Sequence, residues 1–133
     1  MKSASGYVLV VEDRDNWQEI LGVLLENEGC EVAKAGGVDE ASRKLEGSKI
    51  RNKPFNIAIL DIRLNDKEIF NTEGLQLASL IRKDYKEIKI VLLTGYIGAI
   101  KCEIDVDLLM LKEDFNVEKF REYIRSFLVE TTL

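Results

Sequence analysis

The chain has 133 residues, 46% of them hydrophobic and 32% charged, with a formal charge of −5. That length suits one domain with a hydrophobic core and is too short for two, so we expect a single domain over residues 1–133 with its core at 7–129. The acidic balance disfavours binding to nucleic acid, and the absence of histidine excludes Ser–His and Cys–His nucleophiles and histidine zinc sites.

The first half of the chain alternates between strand and helix patterns. Tyr7–Val11 is an apolar run typical of a buried strand, and apolar residues then recur at helical spacing over 17–25 until Gly29 ends the helix. Residues 31–35 alternate as a half-exposed edge strand does, and a weaker helix is predicted over 38–47.

The second half continues the alternation. Further strands follow, and a helix that begins at Thr72 lies between two of them. A last helix over 117–128, capped by Asn116, comes after the final strand. Three runs that are apolar on both faces predict these buried strands: 56–60, 88–93 and 106–111. The pattern predicts an α/β fold with a parallel sheet, right-handed crossovers and helices on both faces, with the second strand at an edge.

Polar residues follow four of the predicted strands directly. They are Glu12 and Asp13, then Asp61, Thr94 and Lys112. Singly, such residues are more often helix caps, β-formers or solvated lysines, but parallel strands bring their carboxyl ends to one edge. Each pair of carboxylates at about 4 Å costs roughly 4 kcal/mol, which one lysine does not offset. We therefore predict a divalent cation with oxygen ligands, Mg²⁺, at this edge.

These residues resemble the motifs of response regulator receiver domains. The matching segments are VLVVED at 8–13, LD at 60–61, LLTG at 92–95, and Lys112 after the last strand. The resemblance extends from Val8 to about Leu128. It implies a flavodoxin-like, doubly wound sheet of five parallel strands in the order 2-1-3-4-5, with helices on both faces.

The resemblance also implies roles for individual residues. Asp61 would be the phospho-acceptor, and Asp13 and Asp61 would be ligands of Mg²⁺. The backbone carbonyl of Arg63 would be a further ligand, and Glu12 would reach the metal through water.

Charge and geometry suggest what the neighbouring residues do. Lys112 would neutralise charge on an incoming phosphoryl group, and Thr94 would donate its hydroxyl to a phosphoryl oxygen. Arg63 and Tyr96 flank the approach to Asp61, and their size is expected to restrict water and slow hydrolysis of the phosphorylated form.

The predicted function is that of a stand-alone receiver in a two-component system or phosphorelay. It would take a phosphoryl group from a sensor histidine kinase or a histidine phosphotransfer protein and signal to a downstream protein. We expect a signalling domain that phosphorylates and dephosphorylates itself rather than an enzyme, with no output domain. No membrane span or signal peptide is apparent, so a cytoplasmic location is expected.

Some features depart from the family pattern. The 62–73 loop is about five residues longer than usual, and its Ile69 and Phe70 are read as a partner contact or as a segment folded onto the domain. The region of the fourth helix is short. Leu109 replaces an aromatic residue and Glu113 a proline, and without that ring the usual switch, which couples the threonine to the aromatic residue, cannot operate in its usual form.

Three other functions remain open at this stage. The first is a degenerate receiver-like module that binds partners without phosphorylation. The second is an aspartate-nucleophile phosphohydrolase, which would need a second aspartate at the position of Arg63. The third is a dinucleotide-binding protein, which would need glycines in the first strand-to-helix turn, where the sequence is Glu-Asp-Arg-Asp-Asn. Cys30 and Cys102 are expected to be structural thiols.

Overall fold

The described part of the chain forms five strands, four α-helices and a short 3-10 helix at Lys112–Asp114. The structure is a computed structural model, and it describes residues 6–62, 73–95 and 105–132, with side chains up to Leu128. The strands are β1 (Tyr7–Val11), β2 (Glu31–Ala35), β3 (Ile57–Leu60), β4 (Lys89–Thr94) and β5 (Leu108–Leu111). The helices are α1 (Asp15–Asn27), α2 (Val38–Ile50), α3 (Glu73–Asp84) and α4 (Val117–Thr132).

All five strands run parallel in one sheet with the order β2-β1-β3-β4-β5. This confirms the predicted fold, the strand order and the edge position of β2. The prediction that residues 106–111 are apolar and buried on both faces is wrong for β5. Leu109 is 40% exposed, because the outermost strand receives less cover from the described helices.

Two apolar layers enclose the sheet. Alternate residues of β1 point to opposite faces, as the period of two in a strand requires. Leu9 and Val11 pack with residues of α2 and α3, whereas Val8 and Val10 pack with residues of α1 and α4. Burying each of these side chains contributes about 2 kcal/mol, so the layers hold the strands in register and fix where their carboxyl ends meet.

A local signal sets the end of α1, whereas α2 and α4 continue beyond their predicted ends, α4 to Thr132 instead of residue 128. Gly29 has a φ of 86°, which confirms that it ends the first helix. The second helix was predicted to end at Gly47 but continues to Ile50. Ser48 is buried and its hydroxyl bonds within the helix, and the left-handed turn comes at Asn52, with a φ of 55°. A glycine inside a packed helix was therefore mistaken for its end.

The last helix begins as predicted. The side-chain oxygen of Asn116 accepts a hydrogen bond of 2.9 Å from the backbone N–H of Lys119, which confirms Asn116 as the N-cap. Among the described residues, no helix is both long and apolar enough to cross a membrane.

Candidate functional site

The carboxyl ends of β1 and β3 deliver the acidic residues to one place. The backbone N–H of Asp61 donates to the carbonyl of Val11 at 3.0 Å, and that of Glu12 donates to the carbonyl of Ala35 at 3.0 Å. These bonds continue the ladders beyond the strand ends. The first residues after each strand are consequently held in a fixed position relative to one another.

Three carboxylates form the centre of this site. One oxygen from each of Glu12, Asp13 and Asp61 lies within 4.8 Å of the oxygens of the other two. Glu12 and Asp61 are buried, and Asp13 is partly buried. The structure brings together the acids that the sequence analysis grouped. At this spacing, repulsion between ionised carboxylates costs several kcal/mol unless positive charge offsets it.

Lys112, which directly follows β5, supplies part of that positive charge. Its Nζ lies 2.8 Å from Oε2 of Glu12 and 3.1 Å from Oδ2 of Asp61. The lysine side chain is only 13% exposed, so water screens these ion pairs weakly. Within the described residues, this ammonium is paired with two of the three acids, Glu12 and Asp61.

The surroundings of Glu12 raise its pKa. Burial, together with the nearby charge of Asp61, raises the pKa of Glu12 to about 7. The ion pair with Lys112 and the hydrogen bond from the backbone N–H of Arg14 act in the opposite direction. Glu12 therefore carries its charge at a higher free-energy cost than an ordinary glutamate.

Asp13 shows that the site fits a cation. Its Oδ1 is buried and has no hydrogen-bond donor within the described part of the chain. A buried oxygen without a donor is costly, and such atoms usually have a ligand or ordered water as partner. Carboxylate oxygens converging on one point are the ligands that Mg²⁺ prefers, so the acids present fit this metal.

Thr94, the last residue of β4, lies at the same edge of the sheet. It is fully buried, and its partner in the β4–β5 register is Leu111, the residue before Lys112. Leu60 pairs with Leu92, so Thr94 lies one residue beyond the level of Asp61. The next residue, Gly95, is exposed, and a Cβ placed on it would meet no atom of the described residues within 4 Å.

Several predicted residues lie outside the described residues. They are Arg63 and Tyr96, the loop residues Ile69 and Phe70, the 97–104 region and Cys102. The roles assigned to them stay predictions. The other cysteine, Cys30, is a buried free thiol, as expected.

Sequence reasoning missed two residues that shape the site. The side-chain amide of Gln18 donates to the carbonyls of both Glu12 and Ala35, which joins the ends of β1 and β2. At Gly74, a Cβ would overlap the carbonyl oxygen of Asp61, so the first turn of α3 packs directly against the backbone of that residue. The only signal in the sequence was a glycine inside the first helical turn, where it is normally unfavourable.

Comparison with known proteins identifies relatives of the chain. The family model for the response regulator receiver domain matches residues 8–122. The CAI-1 autoinducer sensor kinase/phosphatase CqsS of Vibrio cholerae is 32% identical over 91 residues, which cover 68% of this chain and 12% of that protein. The transcriptional regulatory protein AruR of Pseudomonas aeruginosa is 35% identical over 88 residues, covering 66% of this chain and 34% of that protein. The chain thus spans about a third or less of these curated relatives.

Solved structures share the fold over almost the whole chain. A CheY-like receiver domain protein from Methanospirillum hungatei is 27% identical, with a TM-score of 0.75 and 94% of each chain covered. The response regulator protein TrrA from Thermotoga maritima, solved in complex with Mg²⁺ and BeF, is 30% identical, with a TM-score of 0.74 and coverage of 92% of this chain and 98% of that one.

Proposed function

The chain belongs to the family of response regulator receiver domains, and on that premise we propose that it accepts a phosphoryl group on Asp61. The donor is the phosphohistidine of a sensor histidine kinase or of a histidine phosphotransfer protein. One observation carries the choice of acceptor. Asp61 is buried in the acid cluster, with an oxygen 3.1 Å from Nζ of Lys112. The ammonium of Lys112 would stabilise the negative charge of a phosphoryl group that arrives beside Asp61.

The proposed transfer is a direct displacement at phosphorus. An oxygen of Asp61 forms a bond to phosphorus while the bond from phosphorus to the donor imidazole nitrogen breaks, and the imidazole leaves with the electron pair. A carboxylate attacks a phosphoryl group poorly because both are anionic. Lys112 offsets this charge with its ammonium, and Thr94 donates its hydroxyl to a phosphoryl oxygen.

Mg²⁺ is the proposed cofactor. Asp13 and Asp61 would hold it directly, the backbone carbonyl of Arg63 would be a further ligand, and Glu12 would act through water. When bound, Mg²⁺ neutralises negative charge on the acids and on the phosphoryl oxygens. The buried oxygen of Asp13, which has no donor among the described residues, supports this assignment.

The proposed output is a contact with a downstream protein or onward phosphotransfer. Phosphorylation adds about two negative charges at the carboxyl edge of the sheet, which is enough to bias a neighbouring segment between two arrangements. Leu109 stands where the family often has an aromatic residue, so coupling through such a ring is not part of the proposal.

Arg63 and Tyr96 are proposed to prolong the phosphorylated state by shielding the acyl phosphate from water. Replacing either by alanine is expected to shorten its lifetime, measured as loss of label after removal of the donor. Unchanged lifetimes in both variants would contradict this part of the proposal.

Incubation with acetyl phosphate and Mg²⁺ followed by intact-protein mass spectrometry tests the proposal. The wild-type chain is expected to gain about 80 Da, the mass of one phosphoryl group, and to gain nothing in the presence of a chelator. Asp61→Asn is expected to gain nothing. Asp84→Asn, which changes an exposed aspartate at the end of α3, is the matched control and is expected to behave as the wild type. Equal gains in the wild type and Asp61→Asn, or none in the wild type, would overturn the proposal.

A further inference from the structure

The ammonium of Lys112 has a third neighbour besides its two carboxylates. Its Nζ lies 5.2 Å from the centroid of the Trp17 ring, within the range of a cation–π contact. Trp17 belongs to the first turns of α1, close after Glu12 and Asp13 in the chain, and is partly buried. The lysine is therefore enclosed by two acids and an indole.

The indole is itself held in place by other rings. Phe115, in the short connection between Lys112 and α4, packs edge-on against Trp17 with centroids 5.3 Å apart and an interplanar angle of 88°. Phe115 in turn contacts Phe120, whose ring is 5.3 Å away and only 1% exposed. This chain of aromatic contacts anchors Trp17 in the core layer that α1 and α4 form on the sheet.

We propose that Trp17 is a positioning residue for Lys112, holding its ammonium beside Asp61 and keeping water from it. The inference rests on the proposed function, since it assigns a purpose to the place where Lys112 is held. Indole gives the strongest cation–π contact among side chains, and the contact strengthens as water is excluded. A lysine side chain has four rotatable bonds, so a fixed ring beside it narrows the positions that the ammonium can occupy.

The rate of phosphorylation by acetyl phosphate tests this role. Trp17→Leu keeps an apolar side chain but removes the ring, and we expect the rate constant to fall roughly 3- to 30-fold, the range for a partly desolvated cation–π contact. Trp17→Phe restores a ring and is expected to recover most of the rate. Tyr85→Leu is the matched control, because the ring of Tyr85 lies 5.1 Å from Nζ of Lys49 at the opposite end of the sheet. Its rate is expected to equal that of the wild type.

Fluorescence tests the contact without any phosphoryl donor. Trp17 is the only tryptophan of the chain, and a protonated amine close to an indole quenches its emission. We expect Lys112→Met to raise the emission and Lys49→Met to leave it unchanged. This comparison keeps Trp17 itself, so it does not depend on whether Trp17→Leu folds.

The outcomes separate this inference from the proposed function. If the wild type gains a phosphoryl group while Trp17→Leu, shown to be folded by circular dichroism, reacts at the wild-type rate, the positioning role is wrong and the function stands. Equal emission from the wild type and Lys112→Met would also overturn the positioning role. If the wild type gains no phosphoryl group, the proposed function fails, and the emission comparison still decides whether Trp17 holds Lys112.

Discussion

The three acids at the carboxyl edge share one functional group but have different surroundings. Glu12 is buried against Lys112 and the backbone of Arg14, and its pKa of about 7 means that its ionised form is costly. Asp13 has a buried oxygen to which no residue of the described part of the chain donates. Asp61 lies at the end of the central strand β3, in contact with Lys112. These differences favour Asp61 as the acceptor and Asp13 as a metal ligand.

Replacing Asp13 should separate metal binding from folding. Without Mg²⁺, Asp13→Asn is expected to raise the free energy of unfolding by about 1 kcal/mol, because it relieves repulsion between carboxylates. With Mg²⁺ at about 100 times its dissociation constant, the wild type should gain roughly 2.7 kcal/mol and the variant much less. Urea unfolding with Mg²⁺ or with chelator measures both effects. Equal stabilisation of the two proteins by Mg²⁺ would count against Asp13 as a ligand.

Gly74 should be among the least replaceable residues outside the acid cluster. A Cβ there would overlap the carbonyl oxygen of Asp61, which is backbone and has little freedom to move. Gly74→Ala is therefore expected to lower the free energy of unfolding by about 3 kcal/mol or more, as measured in urea. At Gly36 the nearest atom to an added Cβ is a flexible glutamate oxygen at 3.7 Å, and Gly36→Ala should change stability by less than about 0.5 kcal/mol. Similar losses in both variants would refute the steric explanation.

For individual residues, the sequence predicted that the acids, Thr94 and Lys112 lie at one edge of the sheet, because each of them follows an apolar run directly. It did not predict that Trp17 contacts Lys112, since these residues are distant in the chain and Trp17 also fits the apolar face of a helix. The constraint on Gly74 depends on how closely α3 approaches β3, which no local pattern records.

Among the elements, periodicity located the five strands and four α-helices that the structure describes, and the errors concern helix ends and the burial of β5. The α2 helix continues through Gly47 because packing of Ser48 and the later turn at Asn52 outweigh the low helix propensity of glycine. The exposed position on β5 was missed because an apolar run of this kind looks the same in a central strand as in an edge strand.

Glu28, just after α1, joins that helix to α4. Its carboxylate accepts hydrogen bonds of 2.6 Å from Nε of Arg125 and 2.7 Å from Nε of Arg121. The bond from Arg125 and then that from Arg121 lower the pKa of Glu28 below its ordinary value of 4.5, although burial opposes them. These ion pairs hold α1, the helix that contains Trp17, against α4 on one face of the sheet.

A lowered pKa in the folded state fixes the sign of the pH dependence. The contribution of Glu28 to stability is complete above its ordinary pKa of 4.5 and is lost as the pH falls through the lower folded value. Glu28→Gln is expected to lower the free energy of unfolding at pH 7 by an amount on the order of 1 kcal/mol. The difference from the wild type should shrink in acid, as followed by urea unfolding at several pH values. A difference that stays constant down to acid pH would show that the charge of Glu28 does not stabilise the fold.

At the scale of the whole molecule, the parallel sheet explains why so much of the site was predictable. All five strands run in the same direction, so their carboxyl ends lie at the same edge of the sheet. The polar residues that follow the strands therefore come together at that edge. The chain covers about a third or less of its curated relatives, one of which is named a sensor kinase/phosphatase and the other a transcriptional regulatory protein.

Chemical labelling of the phosphorylated residue tests most directly the proposal that Asp61 accepts the phosphoryl group. Borohydride reduces an aspartyl phosphate to homoserine, which peptide mass spectrometry can locate in the sequence. After treatment with acetyl phosphate and Mg²⁺, we expect homoserine at position 61 and aspartate retained at position 13. Homoserine at position 13 or at another aspartate, with position 61 unchanged, would contradict it.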